Sequence, residues 1–215
     1  MNNLADPFVK KYPVIQKPNE SGTGLEYTFF LLDEIGAPHE FAEVITVLQE
    51  ATAEDLVTVK LNSPGGYVDS TIMLMDAFRA CKAPVGFELL GEAASAGSML
   101  PMSGDYIYVA PYAHMMIHNY SGGAYGKGHE VMSRVTFDEL NLNLFFKETF
   151  NTFLTKKEIK MVLAGGDLYI NADDIMVRWN KLLKKREAAF EEYQKEELAA
   201  SIESAKAYIA EHSLS

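Results

Sequence analysis

One cysteine, Cys81, among 215 residues leaves no partner for an internal disulfide, so the fold must rest on its core alone. No apolar run approaches the length of a membrane span. Met1-Asn2-Asn3-Leu4-Ala5-Asp6-Pro7 carries no basic stretch leading into an apolar segment. A cytoplasmic, reducing compartment is the expectation, with Cys81 a buried and inert thiol. Basic residues are few: 19 Lys and Arg face 30 Asp and Glu, for a net charge of −11. Such a field repels nucleic acid and anionic membranes, so neither is expected as a partner. Glycine stops at Gly166 and proline at Pro111, so nothing after Asp167 breaks a helix by either route.

What is present is ample apolar material, 48% of the chain with 11% aromatic, enough for one main domain with appendages. Residues 1–24 hold Pro7, Pro13, Pro18, Gly22 and Gly24 without a sustained period, and read as an arm or loop. Then β-rich runs alternate with helical patterns: Leu25–Leu32, Glu40–Ala51, Leu56–Leu61, Val68–Cys81 and Val85–Leu90. Strands over Tyr106–Ala110 and Met115–His118 and a helix over about 130–153 follow, which predicts an α/β domain. The C-terminal segment predicts a long helix. Leu183, Phe190, Tyr193, Ile202, Ala205 and Ile209 lie close to a helical stripe, which serves either packing on its own domain or an oligomer or partner contact.

Chemistry concentrates in three places. Gly91-Glu92-Ala93-Ala94-Ser95-Ala96-Gly97-Ser98 follows an apolar strand and sets Ser95 at a small-residue turn near a helix start. Such a serine is a nucleophile or a simple N-cap. Asn62-Ser63-Pro64-Gly65-Gly66 ends a strand with paired glycines, either an ordinary turn or a stretch whose N–H groups face a ligand. A base for Ser95 must be one of His39, His114, His118, His129 and His212. His118 closes Met115-Met116-Ile117 beside the loop Asn119-Tyr120-Ser121-Gly122-Gly123, at a strand end where α/β sites gather; His114 shares its strand but lies farther from the loop.

Taken in order, Asn62–Gly66, Gly91–Gly97 and Met116-Ile117-His118 resemble the three signature segments of ClpP, the peptidase subunit of the Clp protease. The resemblance covers about Leu25–Trp179. It implies an α/β ClpP/crotonase-like fold of repeated β-β-α turns, with 1–24 as an arm, 25–179 as peptidase domain and 180–215 as an added C-terminal helix. It also implies a Ser-His-Asp triad of Ser95, His118 and Asp167, the last from Gly165-Gly166-Asp167-Leu168-Tyr169. Asp173 and Asp174 read instead as first-turn helix residues. The oxyanion hole would be the backbone N–H groups of Gly66 and Ala96, with an extended polypeptide added as a strand along Gly66-Tyr67-Val68. No cofactor and no metal are implied. Partners would be polypeptide substrates, further copies in stacked heptameric rings, and a Clp-type ATPase. The helix from Glu130 would be the handle meeting the opposite ring, preceded by a handle strand at Ser121–Gly126.

Three features depart from the pattern: Leu168 stands where many ClpP chains carry an arginine, the N-terminal arm differs, and the C-terminal helix is extended. They fit a specialised or phage-encoded paralogue. Rival readings are a capsid-maturation peptidase with a Ser-Lys pair through Lys127 or Lys147, a crotonase-type enzyme on thioesters, and a silent assembly subunit.

Overall fold

A computed structural model describes the backbone of residues 12–212 and the side chains of 12–204. The part of the arm before Tyr12, and the side chains of Ala205, Ile209 and His212 as stripe or base candidates, lie outside what is described.

The core is a seven-stranded sheet. Strands β1 (Val14–Pro18) and β2 (Leu25–Leu31) form an antiparallel pair. After β2 come helix α1 (Ala42–Glu50), strand β3 (Leu56–Ser63), helix α2 (Val68–Ala80) and strand β4 (Val85–Ala94), with β2, β3 and β4 parallel. Strands β5 (Tyr106–Val109) and β6 (His114–Ile117) both pair with β4, β5 along Gly86–Leu89 and β6 along Glu92–Ala94. Helices α3 (Gly128–Phe150) and α4 (Lys156–Leu163) lead to β7 (Leu168–Asn171), antiparallel to β6, and then to α5 (Ala172–His212). This is the expected mixed α/β, ClpP-like fold with a C-terminal helix.

Alternation explains the sheet. Val57, Val59 and Leu61 of β3 face Val85, Phe87 and Leu89 of β4 in register, all at 1% exposure or less, and α2 covers them through Leu74, Met75 and Phe78. Four elements differ from expectation. Part of the arm is a strand: β1 is short, largely exposed and at the sheet edge, where Pro18 at its end interrupts no ladder. β4 runs on through Gly91 to Ala94, because its pairing with β3 shifts register between Leu61 and Ser63. The segment 118–127 is irregular, so the anticipated handle strand is not formed in the protomer. α5 starts at Ala172, which puts residues 179 and 180 inside one continuous helix. Trp179 is buried, so the domain's own packing extends into that helix.

Candidate active site

The register shift on β3 and β4 aims the site. Asn62 Oδ1 accepts the Glu92 N–H at 2.8 Å, and a Cβ on Gly91 would come within 2.5 Å of that oxygen. A bulge with glycine at the close approach bends β4 and delivers its last residue, Ala94, directly to Ser95. Ser95 has φ +52, a left-handed conformation rare for a residue with a side chain. The helix expected here is two short 3-10 turns, Ser95–Ser98 and Leu100–Ser103, the second carrying Pro101 within its first two positions. Ser98 Oγ donates to Ser95 O at 2.6 Å and ties the strained residue down.

Opposite this turn, β3 ends in Ser63-Pro64-Gly65-Gly66. Gly65 at φ +104 lies so close that an added Cβ would be 2.6 Å from Ser95 Cβ and 2.8 Å from Ala94 O. Ser63 Oγ, fully buried, accepts the Gly65 N–H at 3.2 Å. Gly66 bridges Ile35 through Ile35 N–H to Gly65 O and Tyr67 N–H to Ile35 O, at 2.7 and 3.0 Å. That pairing leaves the Gly66 N–H outside it. Ala96 sits at the opening of a 3-10 turn, where N–H groups have no helical acceptor.

His118 follows the last residue of β6, the neighbour of β4 in the sheet. Its Nε2 is 2.7 Å from Ser95 Oγ, and with the proton on Nδ1 the hydroxyl donates to Nε2. The other histidines fall away: His114 faces Glu92 at 3.6 Å, and His39 and His129 are exposed. Lys127 pairs with Glu130, and Lys147 lines a different groove, so neither lysine takes the place of His118 beside Ser95.

Asp167 is brought near but not into contact. β6 and β7 pair Ile117 with Leu168, so the next step of the same register sets His118 opposite Asp167. The carboxylate is exposed, and no hydrogen bond joins it to the imidazole. Asp173 and Asp174 lie in the first turn of α5, where Asn171 Oδ1 accepts the Asp174 N–H.

The residues expected to bind substrate as an added strand, Tyr67 and Val68, stand at the start of α2. Tyr67 spends its N–H on Ile35 and its carbonyl on Thr71, whose N–H and Oγ1 both donate to it, and Val68 is already helical. The Val68 side chain lines a cleft with Ser95, Ala96, Met99, His118 and Tyr120, floored by Leu142, Phe145 and Phe146 of α3. Only about 20 Å³ of this cleft is free. It continues past Tyr120 and Val68 into a groove of about 200 Å³ that ends at Arg134 and Asp138. Sequence reasoning missed these α3 residues, although the spacing of Leu142, Phe145 and Phe146 marks one helical face.

Among the described residues, no cluster of three or more His, Cys, Asp or Glu side chains converges as a metal site, and no helix is long and apolar enough to cross a membrane. Cys81 is half-buried, and burial pushes its thiol pKa up, as suits an unreactive side chain.

The Clp protease family model matches residues 28–158, more than half of the chain. The chain is also similar to the ATP-dependent Clp protease proteolytic subunit 3, chloroplastic, of Arabidopsis thaliana. Identity is 32% over 120 residues, covering 54% of this chain and 38% of that protein, so the chain spans well under half of the relative's length.

Proposed function

Because the chain belongs to the Clp protease family, we propose that it is a serine endopeptidase that cleaves extended polypeptides through Ser95 and His118. The observation that carries this reading is the 2.7 Å contact between Ser95 Oγ and His118 Nε2 at the end of two neighbouring strands. Ser95 Oγ attacks the scissile carbonyl as its proton passes to Nε2. The oxyanion of the tetrahedral intermediate is held by the N–H groups of Gly66 and Ala96. Collapse breaks the C–N bond, the amine leaves with the proton from His118, and water activated by the same imidazole releases the acyl group. Asp167 is the carboxylate in register to hold Nδ1–H and stabilise the imidazolium; being exposed in the protomer, it completes the triad by a side-chain movement toward His118. The substrate lies in the groove from Ser95 past Tyr120 to Arg134, and the narrow Val68 and Met99 cleft takes the side chain at the cut.

A homo-oligomeric ring belongs to the same reading, supported by family membership and by the exposed apolar residues of α3. Sites enclosed in a ring need polypeptide delivered unfolded, which is the work of a Clp-type ATPase.

The test is labelling of the purified, assembled protein with a fluorophosphonate, followed by peptide mapping. The adduct is expected on Ser95, absent from Ser95→Ala and reduced by about 10³-fold in rate for His118→Ala. An unlabelled Ser95 in an assembled particle, or undiminished peptidase activity in His118→Ala, overturns the mechanism.

A further inference from the structure

A groove of about 550 Å³ lies away from Ser95, between the end of α3 and α4. Its floor is apolar, from Ile159 and Leu163 of α4, and exposed Leu144 prolongs it one turn earlier on α3. Its rim is basic: Lys147, Lys156 and Lys160, against a single acid, Glu148. In a chain with net charge −11, an apolar trough with three lysines calls for an acidic, apolar occupant.

The tail of α5 has that chemistry. Between Glu187 and Ser204 it carries six glutamates and one lysine. Phe190 and Tyr193 are 60% and 59% exposed. Glu187, Phe190, Tyr193 and Glu197 fall within one third of the helical circumference, two rings bracketed by two carboxylates. Within its own chain, α5 supplies no residue to the groove's lining. Arg178 is bound to Glu158 at 2.7 Å, which holds α5 against the side of α4 opposite Lys156, Ile159, Lys160 and Leu163. Arg186 then donates to the carbonyls of Met102 and Gly104, and the helix continues unbroken to His212.

We propose that the Glu187–Glu197 face of α5 docks in the lysine-rimmed groove between α3 and α4 of a second copy of this chain. The rings of Phe190 and Tyr193 fill the apolar trough, and the flanking glutamates meet Lys147, Lys156 and Lys160. Donor and acceptor are different surfaces, so the contact is heterologous: each chain gives a tail and receives one, which links copies in series. The contact does not depend on the chemistry at Ser95.

The experiment uses full-length chains with Cys81→Ser. Chains bearing Phe190→Cys are mixed with differently tagged chains bearing Ile159→Cys and treated with a short bismaleimide. A cross-linked pair carrying both tags is expected. Lys156→Glu with Lys160→Glu in the acceptor should lower its yield about tenfold, and Glu187→Lys with Glu197→Lys in the donor should restore it. The donor reversal alone, opposite an unchanged acceptor, should produce the same loss, which keeps the test decisive if the acceptor variant does not fold. Absence of the mixed pair, or a yield indifferent to both reversals, overturns the proposal and assigns the groove to another partner.

Discussion

At the scale of single residues, the site is held by what Gly65 lacks. Gly65 and Gly66 are both at positive φ, 104° and 145°, yet a side chain at each would collide with something different. At Gly66 the obstacle is the Ile35 carbonyl oxygen, 2.2 Å from the added Cβ, so a substitution there pushes apart two backbone segments. At Gly65 the first obstacle is the Cβ of Ser95 itself. Gly65→Ala is therefore expected to act on chemistry first: a displacement of about 1 Å at a nucleophile costs on the order of 10²-fold in kcat/KM. Stability should fall by about 1–3 kcal/mol from the strained φ. Steady-state peptide hydrolysis beside thermal unfolding separates the two, and full activity in a folded Gly65→Ala protein would show that Ser95 tolerates the shift. The paired glycines were legible in the sequence as a turn. That Gly65 lies against the Ser95 Cβ was not, because the contact joins residues some thirty positions apart and depends on the bulge at Asn62.

At the scale of elements, the α4–α5 junction is set by one ion pair. Glu158 takes Nη1 and Nη2 of Arg178 on its two oxygens, and Oε2 also accepts the N–H and Oγ1 of Thr155 at the start of α4. The Arg178 guanidinium first, then the Thr155 donors, hold the Glu158 carboxyl at about 2, well below its ordinary 4.5. A carboxylate with a depressed folded pKa contributes stability that is complete above its unfolded pKa and lost as pH falls through the folded one. Glu158→Gln should thus lower stability by about 1–2 kcal/mol, discounted for partial exposure of the pair, at any pH from 7 down to about 5. The gap should close toward pH 2. Denaturant unfolding of both proteins across that range is the measurement, and a gap constant to pH 2 would remove Glu158 as its source. The capping pattern Thr155–Glu158 is a local signal any sequence reading can find. Its coupling to Arg178 is not, since it needs α5 folded back beside α4. The same limit explains the misread strand ends. Apolar alternation marks β2, β3 and the first half of β4 to within a residue or two, whereas Gly91-Glu92 reads as a stop and is in fact a bulge within the strand.

At the scale of the whole molecule, the described chain leaves a strip of apolar side chains uncovered. Phe137, Leu140 and Leu144 recur along one face of α3 at 61%, 69% and 55% exposure, joined by Met132 at 67%. An apolar strip of that length on an isolated chain invites burial against another chain. On the opposite side of the same helix, Val135 and Leu142 line the groove that leads from Ser95, so α3 carries both the strip and a wall of the candidate site. In the proposed ring, a partner that covers the strip would fix α3 and so tie assembly to activity without any change at Ser95. Phe137 stands about 15 Å along the helix from Lys147, far enough for a substitution there to leave the lysine-rimmed groove intact. Phe137→Glu is expected to shift sedimentation to smaller species and to lower peptide hydrolysis at least tenfold, while helicity stays unchanged and unfolding moves by about 0.5 kcal/mol or less. The tail-to-groove cross-link should persist, because its residues are untouched. An assembly of unchanged size in Phe137→Glu would mean that the α3 strip faces solvent in the working particle, and that the copies are joined through other surfaces.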